Sequence, residues 1–329
     1  MATDTRPPAG RPHRPRPAPP AIAPGPARRR ALRRRAARPW LLLAPALLTV
    51  AALLLWPLAR VVWMSFQDYG LREIVSGGTD YNGLANYRDI LGRPYLWTTV
   101  LPNTVLFALA CVTLTVVLGT LVALLLHRLG PVARGLCAGA VMTAWAMPAV
   151  TGTYVWIWLF DPLGGAAVQA LGAAGLVDPA DTNWFTGRLG FYAIATLNVV
   201  HHSFPFVAVT VLAGLLTVPR ELHEAAVVDG ANAWQRFWAV TVPCLRPVFT
   251  VVITLSTIWD FKVFVQLYLM PGGNGANPEV LNLGVWSYVE SFAQRQYGTG
   301  AAIAVLLTVL LLGITLVHLR TLFKESEEL

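Results

Sequence analysis

The feature that most restricts this chain is a series of about six apolar stretches, each long enough to cross a hydrocarbon layer of ~30 Å. In lipid, every backbone N–H and C=O must be satisfied within its own helix or in a closed barrel, and stretches of this length fit only the helical solution. They fall at roughly 40–65, 100–126, 135–160, 189–216, 245–270 and 298–319. The expected fold is an all-α, polytopic membrane protein with six transmembrane helices.

Charge sets the expected orientation. Arg128 and Arg134 follow the second stretch, Asp161, Asp178 and Asp181 follow the third, and Arg220, Arg236 and Arg246 lie between the fourth and fifth. Basic residues collect on the cytoplasmic side, so this alternation predicts cytoplasmic N- and C-termini, with the tail RTLFKESEEL inside. Residues 1–38 are rich in proline and arginine, carry RRRALRRR at 28–35 and lack core-forming residues, which predicts a disordered cytoplasmic tail ahead of a membrane domain at 39–329. Net charge is +8, but nearly half of the basic residues precede Trp40. The basic balance therefore reports membrane orientation rather than nucleic-acid binding, and the expected tail sets topology with no other task, contact with anionic membrane lipid or nucleic acid being the alternatives. The first apolar run is too long, and lacks a small-residue cleavage site, to be a signal peptide.

Several chemistries are excluded at this level. The only lysines, Lys262 and Lys324, each follow a phenylalanine, so the chain holds no Gly-Lys-Ser/Thr phosphate loop and cannot itself be a P-loop ATPase. Cys111, Cys137 and Cys244 are odd in number, share no ligand-like spacing and read as buried free thiols. Adjacent His201 and His202 point to different sides of a helix and find no third ligand, so no metal is expected. An intramembrane enzyme would rest on His202 and Ser203 alone.

The longest polar interruption, 217–247, reads TVPRELHEAAVVDGANAWQRFWAVTVPCLRP. Pro219 behind a Thr217 cap predicts one helix start, Gly230 its end, and Asn232 with Gln235 a capping box opening a second helix. Pro243 and Pro247 are expected to stop or kink that second helix, giving a compact elbow at the membrane surface.

Glu224-Ala225-Ala226, then Gly230, then Val240-Thr241-Val242-Pro243 resembles the EAA loop of the membrane subunits of ATP-binding-cassette importers. SFQDY at 65–69, GLANY at 83–87, IWDFKVF at 258–264, YLMPGG at 268–273 and YGTGAA at 297–302 are similar to segments of carbohydrate permeases. They match best the first of the two membrane subunits in maltose and glycerol-phosphate type systems. The turn PGGNGANPE departs from the family's longer glycine run. The resemblance implies a cytoplasmic coupling loop in which Glu224, Ala225, Ala226, Asp229, Gly230 and Pro243 meet a separate ATPase subunit. It implies further a second permease subunit in a heterodimer, two cytoplasmic ATP-binding subunits, an extracytoplasmic solute-binding protein, a carbohydrate substrate and no cofactor. The implied location is the bacterial cell membrane.

Candidate substrate-path residues follow from cost. A central Asp or Lys costs about 2.5–3.5 kcal/mol to insert, so Asp260 and Lys262 should face a cavity or a partner. Asn198, His201, His202 and Pro205 share a helical face, Lys262 and Gln266 share another, and Trp259 offers an aromatic surface at similar depth. Asn198, His202, Trp259, Asp260, Lys262 and Gln266 are thus the expected lining, with structural bridging by the two charges as the alternative. An ATP-independent secondary transporter and an importer of a non-sugar solute such as glycerol phosphate remain open at this stage.

Overall fold

A computed structural model describes residues 42–78 and 80–327, so the basic tail 1–38 lies outside the described residues. The chain divides at Pro57 into two compact units. In the first, the described residues open helix α1, which runs Leu42–Met64.

From residue 58 onward the described chain is mostly helical. A two-stranded antiparallel ribbon, β1 Gln67–Asp68 and β2 Asp80–Tyr81, brackets α2 Leu71–Ser76, and α3 Ala85–Gly92 follows. Then come α4 Leu96–His127, α5 Pro131–Ala146, α6 Ala149–Leu159, α7 Ala166–Ala173 and α8 Arg188–Leu215. The polar loop holds α9 Arg220–Val228 and α10 Ala233–Arg236. Beyond it lie α11 Arg246–Phe261, α12 Val265–Leu269, α13 Leu283–Tyr288 and α14 Tyr297–Glu327. Among the described residues five helical segments are long and apolar enough to span a membrane, and the α5–α6 pair makes six if counted as one broken span.

That pair corrects the expectation of a single third span at 135–160. α5 and α6 meet at 89°. The cause is Pro148, which has no N–H and forces the residue before it out of the helical region; Met147 sits at φ −66°, ψ 130°. The second span, in turn, begins earlier than expected, at Leu96.

The packing has two layers along the same helices. Phe107, Phe191, Ile194, Leu267, Trp286 and Ile303 belong to a core formed by one half of the bundle. Ala123, Leu126, Val207, Val211, Leu245 and Val252 belong to a second core near the polar loop. α4 and α8 run through both cores, and Gly119 lets them approach: a Cβ there would lie 2.6 Å from Val207 Cβ. Small residues at such crossings replace the hydrophobic drive that lipid cannot supply.

The segment after α12 is clamped onto the bundle by side chains that would otherwise be unsatisfied in an apolar setting. Asn103 Nδ2 donates to the carbonyls of Glu279 and Leu281, both at 2.9 Å, and Thr104 Oγ1 accepts from Leu283 N–H at 2.9 Å. Tyr192 donates to the Val280 carbonyl, and Asn282 donates to Val263 while capping α13 through Val285 N–H. α4, α8 and the break after α11 are thereby tied to one strap.

Three of the recognised motifs meet at one corner. Ser65 Oγ and Tyr87 OH lie 2.6 Å apart, and Asn86 Nδ2 donates to the Ser65 and Gln67 carbonyls. Gly298, opening α14, presses against the same strand, where a Cβ would sit 2.2 Å from the Gln67 carbonyl oxygen.

The thiols also differ from expectation: Cys111 is buried, whereas Cys137 and Cys244 are exposed on this chain. Apolar runs in a membrane protein face lipid or partners as often as their own core, so an apolar neighbourhood in sequence did not place them inside.

Candidate functional site

The polar loop between α8 and α11 is built locally. α9 ends in a Schellman arrangement: Gly230 N–H reaches the Val227 carbonyl and Ala231 N–H the Ala226 carbonyl, both at 2.9 Å, with Gly230 at φ +81°. Asn232 and Gln235 form the reciprocal capping box that opens α10, with bonds of 2.8 and 2.9 Å.

Two local expectations are corrected. Thr217 does not cap α9; its hydroxyl donates to the Gly214 carbonyl at the end of α8, and Pro219 occupies the cap position itself. Pro243 does not stop the second helix. The chain widens into one π-type turn over Phe237–Thr241, in which Val242 N–H bonds Phe237 carbonyl, and the proline ring is accommodated beyond it. The break comes at Leu245, and Pro247 lies in the first turn of α11.

Leu245 then packs back on α8, filling the space over Gly214, where a Cβ would lie 2.9 Å from its side chain. The loop's far end is thus fastened to the helix it left. Glu224, Ala225, Asp229, Gly230 and Pro243 are exposed, and Ala226 is half-buried. Beside them the chain leaves Val227, Val228, Trp234 and Trp238 uncovered, with Val228 86% exposed. Such a grouping of apolar side chains beside an open glycine turn is a surface built to be covered.

The six membrane residues differ in burial and in partners. Asn198 is buried and donates to Thr153 Oγ1 at 3.1 Å, linking α8 to α6. Asp260 is buried, and its Oδ2 has no hydrogen-bond partner. Trp259 is exposed and meets Phe206 edge-on at 5.0 Å, while His202 is half-buried. Lys262 and Gln266 do not share a helix face: α11 ends at Phe261, α12 restarts at Val265, and Lys262 is exposed while Gln266 is buried. Asn282 holds this break open by taking the Val263 carbonyl.

A row of aromatic rings begins at the same break, and sequence reasoning missed it. Phe264 stacks on Tyr268 at 5.1 Å and 14°, Tyr268 meets Tyr288 at 5.0 Å, Tyr288 meets Phe292 at 4.7 Å, and Phe292 meets Tyr297 at 6.2 Å. Tyr288 and Phe292 are 37% and 60% exposed, so the row presents rings rather than hiding them. The signal in the sequence was the pairing of 264 with 268 and of 288 with 292, each one helical turn apart.

A multispan helical bundle with a two-helix polar elbow fastened between two spans is a membrane-embedded transport component. The family described as binding-protein-dependent transport system inner membrane component matches residues 115–325, and the chain belongs to it. The chain is 38% identical to the diacetylchitobiose uptake system permease protein DasB of Streptomyces coelicolor, over 89% of each chain. It is 31% identical to the trehalose transport system permease protein SugA of Mycobacterium tuberculosis, covering 82% of this chain and 83% of that one. A crystal structure of a bacterial transporter that imports the polysaccharide alginate contains a chain of the same fold. The TM-score is 0.74 at 18% identity, over 89% of this chain and 99% of that one.

Proposed function

We propose that this chain is one permease subunit of an ATP-driven carbohydrate importer. In this reading the loop 217–247 faces the cytoplasm and carries movement from a separate ATPase to the spans, through Glu224, Ala225, Ala226, Asp229, Gly230 and Pro243. Two ATP-binding subunits, a second and related permease subunit, and an extracytoplasmic solute-binding protein complete the assembly. Both termini are cytoplasmic, with 1–38 an orienting basic tail and 39–329 the permease domain.

The observation that carries the sugar assignment is the exposed ring row leading to Lys262 and the α11–α12 break, in a chain similar to permeases named for disaccharides. Sugar rings have an apolar face that stacks on aromatics and a rim of hydroxyls that needs polar partners, and this row starts at Phe264, two positions along the chain from both Lys262 and Gln266. His202, Trp259, Lys262 and Gln266 are the lining we assign to the path. Asn198 and Asp260, both inside the chain, support it from behind.

Uptake of radiolabelled N,N′-diacetylchitobiose, trehalose, maltose and glycerol phosphate, compared in cells with and without this chain, tests the assignment. Loss of uptake of at least one sugar is expected. Loss of glycerol phosphate uptake alone would overturn the sugar reading while leaving the importer.

A further inference from the structure

The segment after α12 borders an open cavity of about 340 Å³, lined by none of the ring-row residues. Arg93 and Tyr95, between α3 and α4, form one wall, Trp286 and Glu290 another, and Gln294 and Gln296 the rim. None of the membrane-path residues lines it.

The chemistry of the lining is specific. Arg93 Nη1 bonds Glu290 Oε1 at 3.2 Å, and the same oxygen accepts Trp286 Nε1–H at 2.9 Å. Arg93 Nη2 also holds Asp89 Oδ2 at 2.6 Å, so the guanidinium is paired against two carboxylates and the lining offers no free cation to an anionic ligand. Tyr95 donates its hydroxyl to the Pro278 carbonyl, and burial together with the Glu290 carboxylate pushes its pKa up to about 12, so it stays a neutral ring. Indole and phenol rings meet edge to face at 5.6 Å.

The rim is set by an uncommon backbone. Arg295 has φ +59°, the one non-glycine with positive φ among the described residues. Its left-handed turn reverses the chain so that both Gln294 and Gln296 border the cavity. Gln294 N–H is fixed to the Val289 carbonyl, Gln296 N–H to the Glu290 carbonyl, and Gln296 bridges Gly70. A non-glycine backbone held in a sparsely populated conformation beside a cavity is a pointer to use rather than to packing. Glutamine amides both donate and accept, as sugar hydroxyls do. The volume lies at the small end of the ~300–1,000 Å³ span of ligand sites, suited to one sugar ring and not a chain of them.

We propose that this cavity is a second binding site, for a single neutral sugar ring, which takes up sugar on the extracytoplasmic side before it reaches the helix break at Lys262. It rests on the carbohydrate reading and on the orientation given above.

The test uses the full transporter complex in lipid nanodiscs, without its solute-binding protein. Maltose, trehalose and N,N′-diacetylchitobiose are titrated separately and followed by saturation-transfer NMR of the sugar protons. At least one sugar is expected to bind in the millimolar range. The exposed-residue double variant Gln294→Ala/Gln296→Ala, which leaves the Arg93–Glu290 pair in place, should weaken that binding roughly tenfold. Gly139→Ala, outside both sites and with open space around its Cβ, should leave it unchanged. Absence of binding by all three sugars would overturn the site, as would unchanged binding in the double variant. A double variant that keeps its sugar signal but loses attachment of the solute-binding protein would also overturn it, as a protein contact. Uptake assays with the same complex in proteoliposomes, supplied with the solute-binding protein, separate the two readings: sugar uptake without cavity binding sinks only the cavity, whereas no uptake of any sugar sinks the carbohydrate reading on which it rests.

Discussion

Asn198 donates its side-chain N–H to the hydroxyl of Thr153 at 3.1 Å, and this bond fastens the long central span α8 to α6, the second half of the broken third span. Both side chains are buried. Interhelical bonds of this kind are worth about 0.6 kcal/mol on average and up to ~1.7 in membrane proteins. A double-mutant cycle with Asn198→Leu and Thr153→Val, read by unfolding in detergent, should give a coupling energy in that range. Half-saturation of uptake should move little. A coupling of zero with a large loss of sugar affinity would instead place Asn198 in direct contact with substrate.

Gly230 offers a cleaner separation of backbone from side-chain effects. A Cβ at this position meets no atom within 4 Å, so the penalty for substitution is the left-handed backbone alone, at φ +81°. Valine should cost about 1–3 kcal/mol locally and unseat the elbow, whereas asparagine, which tolerates this region, should be nearly neutral. ATP-dependent uptake and co-purification with the ATPase subunits should fall for Gly230→Val and persist for Gly230→Asn. Equal loss in both variants would mean that the exposed glycine surface, and not its conformation, is what the partner reads.

At the helix break, Lys262→Met and Gln266→Leu should each weaken sugar uptake roughly ten- to a hundredfold, with assembly and basal ATPase retained. The two should differ in stability. Gln266 is buried and Lys262 is exposed, so any drop in expression should follow the glutamine. Failed assembly of Lys262→Met would make that lysine a contact to the second permease subunit.

Close packing of α4 on α8 gives a structural control. Gly119→Val would drive methyl groups into Val207 and the Phe204 carbonyl, which lie 2.6 and 3.0 Å from a Cβ there. Overpacking of this kind costs about 1–3 kcal/mol, so thermal stability in detergent should fall, with uptake reduced in proportion to folded protein. Gly139, with open space around its Cβ, should accept alanine without effect.

The spans were legible because a bilayer admits so few backbone solutions, and the caps at Gly230 and Asn232 because they are made within a few residues. Pro148 was visible as a break signal inside the third apolar run, yet hydropathy alone joined α5 to α6. The break at Lys262 carried no such signal: neither proline nor glycine marks it, and it is held by Asn282, far along the chain. Thr217 failed as a cap because its hydroxyl had a nearer carbonyl in Gly214. The cavity was invisible, and the ring row was marked only by its two local pairs, because the strap ahead of α13 and α13 itself are held on α4 by bonds to Asn103 and Thr104 that no local pattern announces.

The most direct measurement is uptake energised in two ways. Proteoliposomes containing this chain, its partner subunits and the solute-binding protein are loaded with ATP or given a proton gradient. Labelled sugar should enter only with internal ATP, be insensitive to an uncoupler, and be abolished by Gly230→Val. Uptake driven by the gradient without ATP, and untouched by that substitution, would contradict the ATP-coupled account.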